Sequence, residues 1–544
     1  MRLVSSKMAA FIDGEASRSW GLSPFALVEA AGRACAESLV KSDILKKSRP
    51  LQGEKPVPVL VMAGPGNNGA DALVMLRALL LEGFCREKTS AVFLSRDTGE
   101  ETSPRSQAIT AVTAMGVTVY PWNDTDLLTR ESLVKNAGFV IDGIAGTGLT
   151  GPLRGIPLEM VQLITALPGP PIVSIDVPSG CTDDFIPGSP VLRAELTLAI
   201  EPVKKAIYTP ALRSFCGKVV PVTGVFPKQL LALCDDRNSG EEKTPSFLFG
   251  WKDARALVPA VPPDAYKYSR GLVEIHACDY GSCGAGRIAA SGASAVGAGL
   301  VRLVVDDELY PILASGADGV MVVPVSKAGG AVSETRFKPD ALLLGPGWGR
   351  DKRRLETLEK AIEREAEGVP LVLDADGIIL AKEYFTLRGI PPRFNGLTIL
   401  TPHPGELEAL SGVEKETLLA KPRLVAELAC ELNAVLVFKS HVTVIAAPGT
   451  GPLAYVDGMI PALASGGSGD LLAGFCAGLA ARLRAGAENK LSADSLFSAA
   501  VAAAALLMET GRRRKAVFGD PAELAGLSSR IAGAAWLAKG AFYG

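Results

Sequence analysis

The chain alternates short apolar runs, rich in Val, Ile and Leu, with longer segments of helical periodicity. The runs cover 57–62, 91–94, 139–142, 172–176 and 196–200 in the first half, and 272–277, 300–305, 341–344, 371–374, 397–400 and 434–438 in the second. Strands of a parallel sheet are apolar on both faces because helices cover both sides, and each pair requires a crossover. The alternation therefore predicts an α/β fold with parallel sheets.

A chain of 544 residues is too long for one hydrophobic core, so two domains are expected. The polar stretch CDDRNSGEEKTPS, which begins at Cys234, separates the two sets of apolar runs. We therefore predict a first domain over 1–225, a linker over 226–247 and a second domain over 248–544. The halves show no internal repeat and are interpreted as two different domains.

Composition excludes several classes of partner. Lys plus Arg number 56 and Asp plus Glu 58, so no overall charge favours nucleic acid or an anionic membrane. Nine scattered cysteines without a CxxC pair are typical of reduced thiols in a cytoplasmic protein. The first residues lack the apolar core of a secretory signal, and the apolar run 496–508 is shorter than the roughly 18 residues of a membrane span. Buried helices are expected instead.

The first chemical motif is GPGNNGAD, which follows run 57–62. Gly64, Gly66 and Gly69 match GxGxxG between a strand and a helix, which is a weak dinucleotide fingerprint on its own. The acid expected after the next strand is missing, because Ser95 and Arg96 stand there. The motif therefore requires another explanation.

Asn67 and Asn68 can offer amide donors and acceptors to a ligand. Asp71 could bind ligand hydroxyls or carry a proton, or could be a helix N-terminal acid stabilised by the dipole. Two further strand-end loops begin at Asp142 and Asp176. With Ser179 and the Asn68 carbonyl, Asp142 offers oxygen ligands suited to a hard cation.

GPGNNGAD, DGIAGTGLTGPLRG and IDVPSG together resemble the NAD(P)H-hydrate epimerase domain over about 1–225. The resemblance implies a Rossmann-like three-layer sandwich and a potassium site at Asn68, Asp142 and Ser179. Glycines are usual at the places of Ala70 and Ala72, and if the former requires a positive φ, alanine would strain the loop. The implied contacts with the hydrated nucleotide are Asn67, Asn68, Gly69, Ala70, Asp71, Gly146, Thr147, Gly148, Leu149, Thr150, Gly151, Pro152 and Asp176.

The second half contains LASGGSGDLLAG, in which backbone amides of the 466–469 loop and a helix N-terminus can form an anion hole. Asp470 is unsuited to binding phosphate, because like charges repel. It could accept a proton from a hydroxyl held beside the phosphate, or could simply begin the helix favourably.

Other strand-end motifs are GPGWG from Gly345, DAD from Asp374, TPHPGE and KSHVT. Pro402 and Pro404 fix the backbone of His403, Glu406 is a candidate for holding Mg²⁺ through water, and Lys439 is either a core-edge lysine or a phosphate ligand. His276 and His441 are expected to be structural by residue type. The basic cluster 512–515 is expected in a solvated loop.

ALLLGPGWGRD, LVLDADG, LTPHPGELEAL and PALASGGSGDLLAGFCAGL resemble the ribokinase-like superfamily and, within it, the ADP- or ATP-dependent NAD(P)H-hydrate dehydratases. The resemblance implies a ribokinase-like α/β sandwich and Mg²⁺ with ADP or ATP. Gly347, His403 and Asp470 would contact the hydrate, with Asp470 as catalytic base. Contacts with the adenine nucleotide would come from Lys439, Ser440, His441, Val442, Thr443 and Gly469. The segment 266–271, YKYSRG, departs from the His-Lys-Gly stretch of that family.

The two resemblances support one reading, a bifunctional enzyme that repairs the hydrates NADHX and NADPHX. The first domain would interconvert the R and S epimers, and the second would dehydrate the S form with ADP or ATP, so that phosphate leaves instead of hydroxide. We expect a homo-oligomer that binds neither nucleic acid nor membrane. The alternative is a ribokinase-like kinase of a small molecule such as a vitamin alcohol, with a non-catalytic N-terminal nucleotide-binding module.

Overall fold

The structure is a computed structural model that describes residues 1–42, 57–95, 102–235, 244–258, 260–317, 319–328, 338–449, 451–486 and 491–518. Two compact units divide it between Pro245 and Ser246, with Met1 grouped with the second unit. This division falls within the predicted linker 226–247, of which 236–243 lie outside the described residues. Arg96 also lies outside them.

The first unit contains strands β1 to β8 and helices α1 to α8. The strands are Arg2–Leu3, Val59–Ala63, Ala91–Leu94, Thr118–Pro121, Phe139–Gly143, Ile172–Ile175, Leu196–Ile200 and Lys218–Val222. The helices are Ser6–Trp20, Pro24–Lys41, Asn67–Leu81, Pro104–Ala114, Leu127–Asn136, Gly155–Ala166, Pro210–Arg213 and Lys228–Leu231.

The sheet of this unit is parallel in the order β4-β3-β2-β5-β6-β7-β8. Successive residues of β2 enter different cores: Val59 and Val61 pack with α1 to α4, whereas Leu60 and Met62 pack with α5 and α6. Helices therefore cover both faces, and the expected three-layer sandwich is confirmed. The strand order reverses between β2 and β5: β3 and β4 lie on one side of β2, and β5 to β8 lie on the other. Ligands of such folds commonly bind at this reversal point.

The second unit contains strands β9 to β18 and helices α9 to α18. The strands are Ser246–Leu248, Leu272–His276, Leu300–Val305, Met321–Pro324, Ala341–Leu344, Leu371–Leu373, Thr398–Leu400, Val435–Phe438, Val442–Ala446 and Leu453–Asp457. The helices are Trp251–Ala254, Cys283–Ala295, Tyr310–Ala314, Arg354–Ala366, Asp376–Leu387, Pro404–Ser411, Lys415–Ala420, Arg423–Leu432, Ser468–Ala485 and Ala493–Phe518.

Its strands follow the order β9-β18-β17-β16-β15-β14-β13-β10-β11-β12. Pairing is parallel from β16 to β12, and β17 joins β16 and β18 in antiparallel fashion. The reversal point of this sheet lies between β10 and β13.

Helix α17 packs very closely on α10. A Cβ on Gly474 would lie 2.1 Å from the carbonyl oxygen of Ala289, and one on Gly478 would lie 2.7 Å from that of Ala293. The glycines therefore let the two backbones approach without intervening side chains. This contact fixes the helix whose first turn carries Asp470.

Among the described residues, one helical segment, Ala493–Ala516 of α18, is long and apolar enough to cross a membrane. Because 72% of its most apolar window is buried inside the structure, it has the character of a core helix. The run 496–508 is thus a buried helix, as predicted. All nine cysteines are free thiols, and seven of them are buried.

Candidate active sites

Three loops of the first unit meet where β2, β5 and β6 end. A Cβ on Gly64 would lie 1.8 Å from the carbonyl oxygen of Ile144, and one on Gly69 would lie 2.3 Å from that of Gly64. Gly66 has open space around it. The first and third glycines of GxGxxG thus serve close packing of the loop backbones.

Asp142 organises the middle of this edge. Its carboxylate accepts hydrogen bonds from the Ser179 hydroxyl (2.5 Å), the Ser179 amide (2.9 Å), the Ser174 hydroxyl (2.7 Å) and the Ile144 amide (3.2 Å). Burial raises the pKa of Asp142, and these hydrogen bonds oppose the rise. Asp142 and Ser179, two of the three residues of the predicted potassium site, are thus joined by hydrogen bonds.

Asn68 faces the same loops but is not satisfied. Its side chain packs against Gly146, where an added Cβ would lie 3.1 Å from the Asn68 Cγ. Both its Oδ1 and its Nδ2 are buried without a hydrogen-bond partner among the described residues. A buried amide normally has partners, so this one is available to a ligand. Its free Oδ1 is an oxygen of the kind that suits a hard cation.

Ala70 lies inside α3, which begins at Asn67, and it has no positive φ. Alanine at this position would be strained only if the backbone had a positive φ, and it does not. A helical backbone suits alanine better than glycine. Asp71 lies beyond the first turn of α3 and is buried. The alternative interpretation of Asp71, a helix N-terminal acid stabilised by the dipole, does not fit this position because the dipole effect is confined to the first turn.

Replacing Ala70 by glycine is expected to lower the free energy of unfolding by about 1 kcal/mol, because glycine is the poorer helix former. Urea denaturation measures it, with Ala78→Gly in the same helix as the matched control and a similar loss expected. A stabilised Ala70→Gly protein would show that the alanine is strained after all.

A cavity of about 250 Å³ opens beside these loops, and Asn67, Asp71, Thr147 and Asp176 line it as predicted contacts. The remaining predicted contacts do not line it. Asn68 packs as described, Gly69 and Ala70 are buried in α3, and Gly146, Gly148, Leu149, Thr150, Gly151 and Pro152 belong to the loop between β5 and α6.

Three further charged residues of this cavity, Asp13, Glu201 and Lys204, were missed. The ammonium of Lys204 donates to Asp176 Oδ1 at 2.6 Å and to the Ile200 carbonyl at 3.0 Å. Asp71 Oδ1 has no hydrogen-bond partner among the described residues. Burial, then the negative charges of Asp176 and Asp13, raise the pKa of Asp71 well above its usual range. Asp71 is thus a carboxyl group that can hold a proton.

The glycine loop of the second unit leads into α17, which begins at Ser468. Gly467 precedes it with a φ of 91°, a conformation that glycine adopts readily. Asp470 lies in the first turn of α17. Burial, followed by the charge of Asp374, raises the pKa of Asp470 to about 6, and Lys439 opposes the rise. At neutral pH the carboxylate form dominates, as a proton acceptor requires.

Lys439 joins three strand ends. Its ammonium donates to Asp374 Oδ1 at 2.6 Å and lies 3.9 Å from Glu406 Oε2. Thr401 donates to the same Asp374 oxygen at 2.7 Å. Burial disfavours the Lys439 charge, but the attraction of Asp374 and Glu406 outweighs it and raises the pKa of Lys439. Lys439 is therefore a charged residue whose position Asp374 fixes.

His403 begins α14 as its N-cap residue. Its Nδ1 accepts from the amides of Gly405 (3.0 Å) and Glu406 (3.2 Å), while Glu406 Oε2 accepts from the His403 amide at 2.8 Å. Because Nδ1 is an acceptor, the ring proton lies on Nε2, which is 3.3 Å from Glu406 Oε1. The imidazole is oriented by the helix start and remains exposed.

A second cavity, of about 620 Å³, collects most of the predicted nucleotide contacts. His403, Lys439, Ser440, His441, Thr443 and Gly469 all line it, together with apolar side chains such as Ile460, Leu463, Leu507 and Met508. Val442 does not line it, because it is buried in β17. His441 is exposed and lines the cavity, which fits the implied nucleotide contact better than the expected structural role. The cavity has a polar end at the glycine loop and an apolar side.

Gly347 lies at the reversal point of the second sheet. Its carbonyl accepts from the Ser282 hydroxyl at 2.7 Å, and its φ of 54° favours glycine. The segment 266–271, which differs from the His-Lys-Gly stretch of the dehydratases, precedes β10. It therefore lies at the amino end of β10, whereas Gly347 follows the carboxyl end of β13. His276 is buried, with Nε2 3.0 Å from Glu274 Oε1, as expected of a structural histidine.

The basic cluster 512–515 belongs to α18, so its assignment to a solvated loop is wrong. Arg512 is exposed and Arg513 pairs with Glu509 at 2.9 Å, but Arg514 is only 4% exposed. A run of like charges resembles a solvated surface in sequence, and only the helical phase shows which member turns inward.

Two α/β units, each with a cavity at the carboxyl ends of its strands, define a two-domain enzyme of nucleotide chemistry. Residues 24–206 match the sequence model of a family described as YjeF-related protein N-terminus, and residues 275–518 match that of NAD(P)H-hydrate dehydratase. The chain belongs to the family of bifunctional NAD(P)H-hydrate repair enzymes.

Relatives match over most of the length. The bifunctional NAD(P)H-hydrate repair enzyme Nnr of Salinibacter ruber is 31% identical over 480 residues, which cover 85% of this chain and 84% of that protein. The Coxiella burnetii enzyme of the same name is 29% identical, with 78% and 81% covered. A crystal structure of the ADP/ATP-dependent NAD(P)H-hydrate dehydratase of Bacillus subtilis, co-crystallised with ATP and Mg²⁺, is 22% identical with a TM-score of 0.43, covering 53% of this chain and 97% of that one.

Proposed function

We propose that the chain repairs hydrated NADH and NADPH: the first unit interconverts the R and S hydrates, and the second dehydrates the S hydrate with ADP or ATP. Family membership supports both activities. The observation that carries the proposal is the convergence of the 466–469 loop, Lys439 and His403 on one cavity, with Asp470 following directly in the chain.

The chemistry of the second unit follows from these positions. Asp470 takes the proton from the ring hydroxyl of the hydrate, and that oxygen attacks the terminal phosphate of the nucleotide. The amides of the glycine loop and the ammonium of Lys439 stabilise the negative charge that develops there. The attack expels AMP from ADP, or ADP from ATP. The carbon–oxygen bond of the phosphorylated hydrate then breaks, phosphate departs with its electron pair, and loss of a ring proton restores the double bond. His403, with its proton on Nε2, can donate a hydrogen bond to the bound hydrate.

Mg²⁺ with ADP or ATP is part of the proposal, and the ion would neutralise phosphate charge. Glu406 is the candidate residue for holding it through water, with its carboxylate between His403 and Lys439. Among the described residues no group of three or more His, Cys, Asp or Glu side chains could hold a metal. This agrees with an ion held mainly by nucleotide phosphates, as is common for Mg²⁺.

The rate of dehydration is expected to fall as the pH drops below about 6, because Asp470 is protonated there and cannot accept a proton. The rate should be nearly constant above pH 7 and fall about tenfold per pH unit well below 6. Measuring kcat/KM for the hydrate from pH 5 to 8 checks this, because kcat/KM reports the pKa of a base in the free enzyme. An unchanged kcat/KM across that range would exclude Asp470 as the base.

In the first unit, we propose Asp71 as the proton carrier and Asp176 as a contact for the hydrate, held in place by Lys204. Potassium would be held by Asn68, Asp142 and Ser179, supported by the unpaired Asn68 oxygen. The ion would supply a fixed positive charge beside the bound nucleotide. The remaining predicted contacts in the loop between β5 and α6 stay part of the proposal.

The decisive experiment supplies the purified chain with S hydrate, Mg²⁺ and either ADP or ATP. Return of the near-ultraviolet absorbance of reduced nicotinamide is the expected result. A stable phosphorylated product without that absorbance would instead favour the small-molecule kinase. We also propose a cytoplasmic homo-oligomer without affinity for nucleic acid, which light scattering and fractionation test.

A further inference from the structure

The buried arginine of the basic cluster contacts the segment that leads into the glycine loop. Arg514 Nη1 donates to the carbonyl of Ala462 at 2.9 Å and approaches the Ser465 hydroxyl at 3.4 Å. Both acceptors lie within four residues of Gly466. The dehydration chemistry described above does not use this charge, although burying a guanidinium is costly.

A second contact joins the same two elements. Gly511 lies on α18 three residues before Arg514, and a Cβ there would lie 2.6 Å from Leu463 Cγ. Leu463 and Ala464 line the 620 Å³ cavity, as do Leu507 and Met508 of α18. Helix α18 therefore touches the 462–465 segment at two points and contributes to the same cavity wall.

Such support has a clear physical use. Glycine-rich backbone loses more conformational freedom than any other when it becomes ordered. A loop that is already ordered before its ligand arrives binds that ligand more tightly, because binding then involves no further loss of the loop's conformational entropy. Charged donors such as a guanidinium form the stronger hydrogen bonds to backbone oxygens.

We propose that Arg514 is a positioning residue of the dehydratase: it holds the 462–465 segment so that the amides of the 466–469 loop are aimed at the nucleotide phosphate. The inference rests on the proposed function and deepens it. Arg514 does not line the 620 Å³ cavity, so it would act on the nucleotide through the backbone that it holds.

The test compares Arg514→Gln with the matched control Arg513→Gln in the full-length chain. The KM for ADP or ATP is expected to rise about tenfold in the first and to change less than twofold in the second. The epimerisation rate, measured on the same preparations, should be unchanged in both. Arg514→Lys, which keeps a charged donor, should recover part of the loss.

The KM separates positioning from mere stabilisation. Partial unfolding reduces the active fraction and hence the apparent kcat, but it leaves the KM of the folded fraction unchanged. An unchanged KM in Arg514→Gln therefore overturns the inference, whatever happens to kcat. If Arg514→Gln does not fold, the KM for ADP or ATP is measured instead in Arg514→Lys and in Gly511→Ala, whose added methyl group displaces Leu463. An unchanged KM in both of these variants would overturn the inference. A parent chain without dehydration would refute the proposed function instead.

Discussion

Replacing Asp470 by asparagine is expected to lower the dehydration rate constant by about 10²- to 10⁴-fold, the usual effect of losing a general base. Asparagine keeps the shape of the side chain but cannot accept the hydroxyl proton. Nucleotide binding should persist, because the change removes a negative charge near the phosphates. Regeneration of reduced nicotinamide measures the rate, and calorimetry with ADP or ATP measures binding.

The matched control for this change is Asp494→Asn, since Asp494 is an exposed acid in the first turn of α18. Its dehydration rate should equal that of the parent. If Asp470→Asn retains more than a third of the parent rate, Asp470 acts only as a helix-terminal acid and another base must be sought.

Replacing Asp71 by asparagine is expected to slow epimerisation by about 10²-fold or more, because the buried carboxyl that can hold a proton is lost. The measurement uses the Asp470→Asn background, so that the S hydrate accumulates instead of being consumed. Pure R hydrate is supplied, and the appearance of S is followed by chromatography.

Asp124→Asn, an exposed change in the same unit, is the control and should epimerise at the parent rate. Dehydration of pure S hydrate by the single Asp71→Asn variant should also be normal, which shows that the second unit is intact. Normal epimerisation in Asp71→Asn would rule out Asp71 as proton carrier and direct attention to Asp13.

The sequence was informative about strands with two buried faces and poor at the margins of the sheets. All the predicted strands exist, and β3, β7, β11 and β13 have the predicted bounds. The strands β4, β8 and β12 were missed because they lie at the edges, where residues are only partly buried and no continuous apolar run forms. The hairpin β17–β18 was missed because KSHVT was interpreted only as a strand-end motif, although Val442 already belongs to β17.

The candidate sites show the same division. Residues directly after strands were found, and Lys204 could have been, since it follows β7 by four residues. The DAD motif contains Asp374, but only the fold shows that this carboxylate pairs with the ammonium of Lys439. Asp13 gave no signal, because it lies on α1, far in sequence from any strand end. Such residues join a site through tertiary packing alone.

The close packing of α17 on α10 has a consequence for how the second unit handles its substrates. Where Gly474 and Gly478 press on the carbonyls of Ala289 and Ala293, a sliding or tilting helix would collide with backbone. The position of Asp470 is therefore fixed, because the helix that carries it contains no hinge. Any closure around the bound pair of substrates would therefore have to come from the other elements that line the 620 Å³ cavity and not from movement of α17.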